Sequence, residues 1–216
     1  KCGEGIMGNN IKQLLCFGDS NTWGLNGETG MRLPWEQRWT GLLQKKLGED
    51  AYHVIEEGLC GRTTVFEDPL RKGRRGTALL PILLETHAQV DGIVLMLGTN
   101  DCKSVYGASA EVIGKGIILL LNQINEYADK AKVLLVSPIH LGEKVFHEGY
   151  DGEFSKQSVA LSRNLDQVYE GIAAERNLSF MKASAYVSCC DADQEHMDAH
   201  GHGVFAEAVY TIIRDW

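Results

Sequence analysis

The run Gly92-Ile93-Val94-Leu95-Met96-Leu97-Gly98-Thr99-Asn100-Asp101 decides the fold. Its apolar stretch is too short for a helix and has no polar residue alternating through it, so it reads as a strand buried on both faces. Gly98 ends the stretch, and small polar residues follow at once. The same grammar recurs on either side. Ile11–Phe17 is closed by Gly18, Tyr52–Glu57 runs into Gly58, Lys132–Ser137 is stopped by Pro138, and Ser179–Met181 makes a short fifth strand. Between them, apolar residues at helical spacing predict helices over Arg38–Leu47, Thr77–His87, Glu111–Ala128, Ser155–Arg176 and His200–Arg214, with Pro81 as a candidate break. Apolar strands alternating with amphipathic helices require a parallel sheet covered on both faces. Right-handed crossovers then give an α/β three-layer sandwich, doubly wound around a parallel five-stranded sheet.

The 216 residues suit one domain with a substantial core, expected to span 11–216 because no repeat, low-complexity stretch or linker interrupts it. Residues 1–10 read as an N-terminal tail, with Met7 a candidate start and Lys1–Ile6 a remnant of cloning. Hydrophobic residues make up 44% and charged residues 23%, which argues against disorder. The apolar runs at Ile93–Leu97 and Ile117–Leu121 are too short to span a bilayer, and Lys1–Asn10 holds no signal-peptide core. The expectation is a cytoplasmic protein, although a cleaved leader leaves no trace. A net charge of −8 argues against a nucleic-acid partner. Arg62, Arg71, Lys72, Arg74 and Arg75 form a local exception, read first as a solvated loop and second as a contact to another subunit or to an anionic substrate group. Cys2, Cys16, Cys60, Cys102, Cys189 and Cys190 are scattered without a C-x-x-C pair, so reduced thiols are expected.

Ligands of such sheets bind beyond the carboxyl ends of the strands. Gly18-Asp19-Ser20-Asn21-Thr22 follows the first strand, Gly58-Leu59-Cys60-Gly61-Arg62-Thr63-Thr64 the second, Gly98-Thr99-Asn100-Asp101 the third, and Asp193-Gln194-Glu195-His196 the fifth. All four polar clusters should therefore meet at one sheet edge. A serine hydroxyl attacks only when a base takes its proton, and a carboxylate usually orients that base. Ser20, His196 and Asp193 supply the three groups, with Asp193 and His196 close enough for one tight turn. Ser20 N–H, Gly61 N–H and the Asn100 amide are candidate donors for the oxyanion of acyl transfer. Taken singly, each has a plainer reading. Ser20 is a helix cap, Asn100-Asp101 a turn, and Gly61 a positive-φ residue.

These four blocks, in this order, resemble the SGNH, or GDSL, hydrolase superfamily from about Ile11 to the C-terminus. Gly18-Asp19-Ser20 resembles its serine block, Gly58–Thr64 its glycine block, Gly98-Thr99-Asn100-Asp101 its G-x-N-D block, and Asp193-x-x-His196 its histidine block. Asn21 stands where leucine is commonest, a position without an assigned part in the chemistry. Gly18–Gly24, Arg38–Gly41, Val54–Leu59, Arg62–Thr64, Asp68-Pro69 and Leu97–Lys103 are similar to the bacterial arylesterase and acyltransferase branch. The resemblance implies a flavodoxin-like SGNH fold and a cofactor-free hydrolase of small, acetyl-like esters acting through a covalent acyl-enzyme. It also implies acyl transfer to alcohols or peroxide, and homo-oligomers, in some members. An acetylated carbohydrate is the alternative substrate.

Asp19, Trp23, Cys60, Arg62, Thr99 and Lys103 are candidate substrate-pocket residues, while Asp19 and Asp101 also read as capping groups. Trp35 and Trp39 are candidates to cover the acyl pocket, with core packing the plainer reading of Trp39. Two competing functions remain. A metal-dependent hydrolase would use His196, His200 and His202 with Asp191 and Asp193, but H-E-x-x-H is missing. A non-catalytic binding module would have no need of Ser20, Asn100 and His196 together. The Gly3–Gly8 and Gly201–Ala206 patterns lack the strand–turn–helix setting of a dinucleotide site, and there is neither a P-loop nor a G-x-S-x-G elbow.

Overall fold

The computed structural model describes residues 11–216, so the Gly3–Gly8 pattern, Cys2 and the Met7 start lie outside it. The five strands are β1 (Lys12–Gly18), β2 (Tyr52–Gly58), β3 (Gly92–Met96), β4 (Lys132–Ser137) and β5 (Ser179–Lys182). They form one sheet in the order β2-β1-β3-β4-β5, and every pairing is parallel. The helices are α1 (Ser20–Trp23), α2 (Trp39–Leu47), α3 (Gly76–Thr86), α4 (Ala110–Tyr127), α5 (Lys156–Glu175) and α6 (Ala199–Ile213). This is the doubly wound sandwich expected from the alternating apolar runs. The order reverses direction between β1 and β3, and a crevice opens at such a switch point.

The pleat sorts the core into two layers. Leu15 and Phe17 of β1, with Ile93 and Leu95 of β3, face a cluster built from α3, α4 and α5. Leu14, Cys16, Val94 and Met96 face the other way, onto α2 and α6. Successive side chains on a strand point to opposite faces, so a strand covered twice must be apolar at every position. On the second face Trp39 meets Phe205 edge-on, with ring centroids 5.1 Å apart, and both side chains are fully buried.

Pro81 does not break α3, which runs through it from Gly76 to Thr86. A proline inside a helix strands the carbonyl four residues earlier. That carbonyl belongs to Thr77, and the Gln123 side chain of α4 donates to it at 2.8 Å. The cost that the sequence rule assigns to Pro81 is thus reduced by a neighbouring helix. No helix among the described residues is long and apolar enough to cross a membrane.

The Trp39–Phe205 contact ties α2 to α6 and so fixes the frame that carries the loops above β5. Phe205→Ala should lower stability by about 3–5 kcal/mol, from lost burial and the cavity left behind. Urea unfolding measures it, and a loss below about 1 kcal/mol would show that this face collapses around the gap.

Candidate active site

Gly18 ends β1 and lets the chain turn back on itself. A Cβ there would stand 2.1 Å from Thr22 Oγ1 and 2.9 Å from the Met96 carbonyl. Asp19 then caps α1, its Oδ1 accepting from Asn21 N–H at 3.0 Å, and Gly24 closes the turn in the left-handed region at φ 87°. Ser20 is thereby held, nearly buried, at the switch point between β1 and β3.

The histidine loop is organised by Asp193. Its Oδ1 accepts from the amides of Glu195 at 3.0 Å and His196 at 2.9 Å, which frees Oδ2 to meet His196 Nδ1 at 2.6 Å. Gln194 between them takes φ 64°, a left-handed conformation rare outside glycine. Its side chain holds that turn in place, accepting from Lys144 N–H at 3.2 Å and donating to the Asp191 carbonyl at 3.2 Å. His196 Nε2 lies 2.7 Å from Ser20 Oγ. With the proton on Nδ1 shared toward Asp193, Nε2 is free to accept from the serine hydroxyl.

Asn21 links the two loops. Its Oδ1 accepts from Met197 N–H at 3.0 Å and its amide reaches the Glu195 carbonyl at 3.5 Å. Trp39 Nε1 donates to the Asn21 carbonyl at 3.1 Å, and Trp39 N–H donates to His202 Nδ1 at 3.2 Å. The position that departs from the superfamily's usual leucine is therefore a staple between the serine and histidine segments.

The third and second strand ends complete the site. Asn100 Nδ2 donates to the Arg62 carbonyl at 3.1 Å, leaving its other amide hydrogen for the cleft. Asp101 takes both the Thr64 amide, at 3.0 Å, and the Thr64 hydroxyl. Burial lifts the Asp101 carboxyl to about 6, even against these bonds. Arg62 is buried, with Nη1 donating to the carbonyls of Gly18, at 2.9 Å, and Glu57. Its guanidinium stacks 4.2 Å from the Phe17 ring centroid. Gly61, at φ 80°, lies between Cys60 and this anchored arginine. Among the described residues, neither Ser20 N–H nor Gly61 N–H donates to a protein acceptor.

Electrostatics favour a charged imidazole. Burial pulls His196 down, but Glu195, Asp193 and Asp19 outweigh it, so its net shift is upward. Burial pushes Asp193 up, yet the bonds from His196 and the two amides hold it below the usual carboxylate range. Burial raises Asp19 as well, offset in part by the Asn21 amide and His196.

These groups open onto a cleft of about 400 Å³. Ser20, Cys60, Gly61, Asn100, Lys103 and His196 line it, as do Arg71, from the basic run read as a possible substrate contact, and Leu25, Asp151 and Glu153. Leu70 and Glu195, which sequence reasoning did not single out for the pocket, complete the lining. Four pocket candidates do not reach it. Asp19, Arg62 and Thr99 are buried behind its wall, and Trp23 instead carries Arg32 over its ring at 4.8 Å. Nor do the other tryptophans cover it. Trp39 is core, and Trp35 stacks with Arg38 at 5.2 Å. Lys103 is not an exposed lysine, since its Nζ is buried against Glu153 at 2.7 Å. The basic run divides: Arg62 is structural, Arg71 faces the cleft, Arg74 Nε donates to the Cys60 carbonyl at 2.9 Å, and Arg75 pairs with Glu67 at 3.2 Å.

The histidines considered as metal ligands part company. His196 faces Ser20, His200 is exposed, and His202 is fully buried against Trp39, where burial lowers it to about 4 and keeps it neutral. Among the described residues, no three His, Cys, Asp or Glu side chains converge as a ligand set.

The profile of the GDSL-like lipase/acylhydrolase family matches residues 16–204. Among solved structures, the chain is similar to a carbohydrate acetylesterase family member from Sinorhizobium meliloti, with 35% identity and a TM-score of 0.87 over 94% of this chain and 98% of that one. It is similar to Est24, a carbohydrate acetylesterase from the same organism, with 32% identity and a TM-score of 0.85 over 93% and 97%. It is also similar to the aryl esterase of M. smegmatis, with 32% identity and a TM-score of 0.82 over 94% and 100%. No curated protein sequence gives a significant match. The chain belongs to the GDSL-like lipase/acylhydrolase family, within the SGNH superfamily, and is a carboxylic ester hydrolase.

Proposed function

We propose that this ester hydrolase works through Ser20 as nucleophile, on esters of small acyl groups, with a covalent acyl-enzyme between two half-reactions. One observation carries the reading: Ser20 Oγ, His196 Nε2, His196 Nδ1 and Asp193 Oδ2 form a continuous chain with links of 2.7 and 2.6 Å. Ser20 attacks the ester carbonyl as its proton passes to Nε2. Asp193 stabilises the imidazolium, and Ser20 N–H, Gly61 N–H and the free hydrogen of Asn100 Nδ2 hold the oxyanion. His196 returns the proton to the departing alcohol oxygen. A water molecule, deprotonated by the same histidine, then attacks the acyl carbon, and His196 returns that proton to Ser20 Oγ as the acid leaves. An alcohol or peroxide entering in place of water gives acyl transfer by the same two steps. No step calls on a cofactor.

The names of the similar structures support two substrate classes, aryl esters and acetylated carbohydrates. The cleft mixes Leu25 and Leu70 with Arg71, Lys103 and three carboxylates, a lining that suits a polar alcohol better than a bare aromatic ring.

Ser20→Ala should lower kcat on p-nitrophenyl acetate by about 10⁴–10⁶-fold, and a purified variant with near-normal turnover would end the proposal. Asn100→Ala should cost about 100–1000-fold in kcat, equal to about 3–4 kcal/mol, with a smaller effect on KM. If kcat held and only KM rose, Asn100 would be a binding group and not an oxyanion donor. The pH profile follows from the sign of the His196 shift. The base must be neutral to accept the serine proton, so activity falls as pH drops through the His196 pKa. That pKa lies above the ordinary imidazole value of about 6.5, and the acidic limb of kcat/KM should do so too. Glu195→Gln removes the largest upward influence on His196, so it should move the limb to lower pH. An unmoved limb would mean that another group controls it.

A further inference from the structure

Glu195 lies between Asp193 and His196 in the chain, yet its side chain serves the opposite edge of the ring. Asp193 meets Nδ1 at 2.6 Å, whereas Glu195 Oε1 stands 3.7 Å from Nε2. Nε2 is the atom 2.7 Å from Ser20 Oγ that must hand a proton to the departing alcohol. A group beside Nε2 on the cleft side therefore borders the alcohol portion of the ester and not its acyl portion.

The Glu195 side chain is only 10% exposed, and it lines the cleft. Among the described residues its carboxylate receives no hydrogen bond. Its neighbours act on it only through burial and through the charges of His196, Lys103, Asp151 and Asp193. Burial lifts it to about 7. The carboxylate is thus an acceptor that no protein donor occupies, and it borders the space that substrate fills, where a substrate hydroxyl can donate to it. The other walls carry donors. Lys103 Nζ has three hydrogens and is held by Glu153 at 2.7 Å, and Arg71 lines the same cleft. A hydroxyl can donate to Glu195 and accept from such cations. An aryl ring does neither.

We propose that Glu195 is a specificity-determining residue for the alcohol side of the ester: its carboxylate accepts a hydrogen bond from a hydroxyl on the carbon next to the ester-bearing carbon, which selects acyl esters of polyhydroxylated alcohols. The assignment rests on the serine reading above. The hydroxyl proton stays on the substrate, so Glu195 makes and breaks no covalent bond.

Two acetates that differ only in that hydroxyl test it: trans-2-hydroxycyclohexyl acetate and cyclohexyl acetate. Wild-type enzyme should favour the first in kcat/KM by about 10–100-fold, the range of a hydrogen bond to a charged partner. Glu195→Val should bring the ratio close to one, and Glu195→Gln, whose neutral oxygen is a weaker acceptor, to an intermediate value. The ratio is the readout because any effect of Glu195 on His196 enters both rates alike. Glu195→Gln keeps the shape of the side chain, so the test survives if the valine variant does not fold. A wild-type ratio near one overturns the assignment, as does a preference that both variants retain. Ser20→Ala separates the two levels. If it hydrolyses both acetates at the wild-type rate, the serine reading itself fails. If activity depends on Ser20 but ignores the hydroxyl, only the Glu195 assignment fails.

Discussion

Two segments 176 residues apart must be held to a fraction of an ångström for Ser20 and His196 to share a proton, and the Asn21 side chain supplies that constraint. Asn21 belongs to the serine turn, but its amide group bonds the backbone on either side of His196. Trp39 fixes the Asn21 carbonyl in turn, and His202 fixes the Trp39 amide. The chain of contacts therefore runs from the turn after β1, through α2, to α6 and the histidine loop. A side chain that packs against its surroundings and is bonded at both ends loses little further freedom when substrate binds, which is the basis of preorganised catalysis.

The electrostatic arrangement follows from the same packing. Three carboxylates, Asp19, Asp193 and Glu195, act on the largely buried His196. Burial disfavours the imidazolium, and the three negative groups restore it with a surplus. The roles of Asp193 and Glu195 differ by their partners. Asp193 has two amides and the imidazole to satisfy it and is held low, whereas Glu195 receives no protein hydrogen bond among the described residues and burial lifts it to about 7. Two carboxylates on one short loop are thereby driven apart in acidity by their environments alone.

Much of this was legible in the sequence. The five strands and the five longer helices could be read because a doubly covered sheet demands apolar runs and its helices demand amphipathic ones. The meeting of Ser20, Gly61, Asn100 and His196 at one cleft followed from strand polarity, since each follows a strand end. What escaped was tertiary. The partner of Lys103 at the cleft wall, Glu153, lies 50 residues away, and Arg62, read with the basic run as a solvated loop, is instead buried by the carbonyls of two strand ends. Trp23 and Trp35 looked like pocket walls because aromatic residues suit both cores and pockets, and only packing decides, whereas Trp39 is core, its plainer reading. Asn21 and Glu195 were passed over because residues flanking Ser20 and His196 carry no local signal of where their side chains turn. The four-residue α1 was also invisible, being shorter than any periodicity can register.

The central claim is that Ser20 carries the acyl group. The most direct measurement is covalent capture: titrate the purified enzyme with a serine-directed organophosphate, follow residual esterase activity, and locate the adduct by peptide mass spectrometry. The account predicts one adduct per active chain, on Ser20, with activity lost in proportion to labelling. Full inactivation with Ser20 unmodified, or full labelling of Ser20 with activity retained, would contradict it.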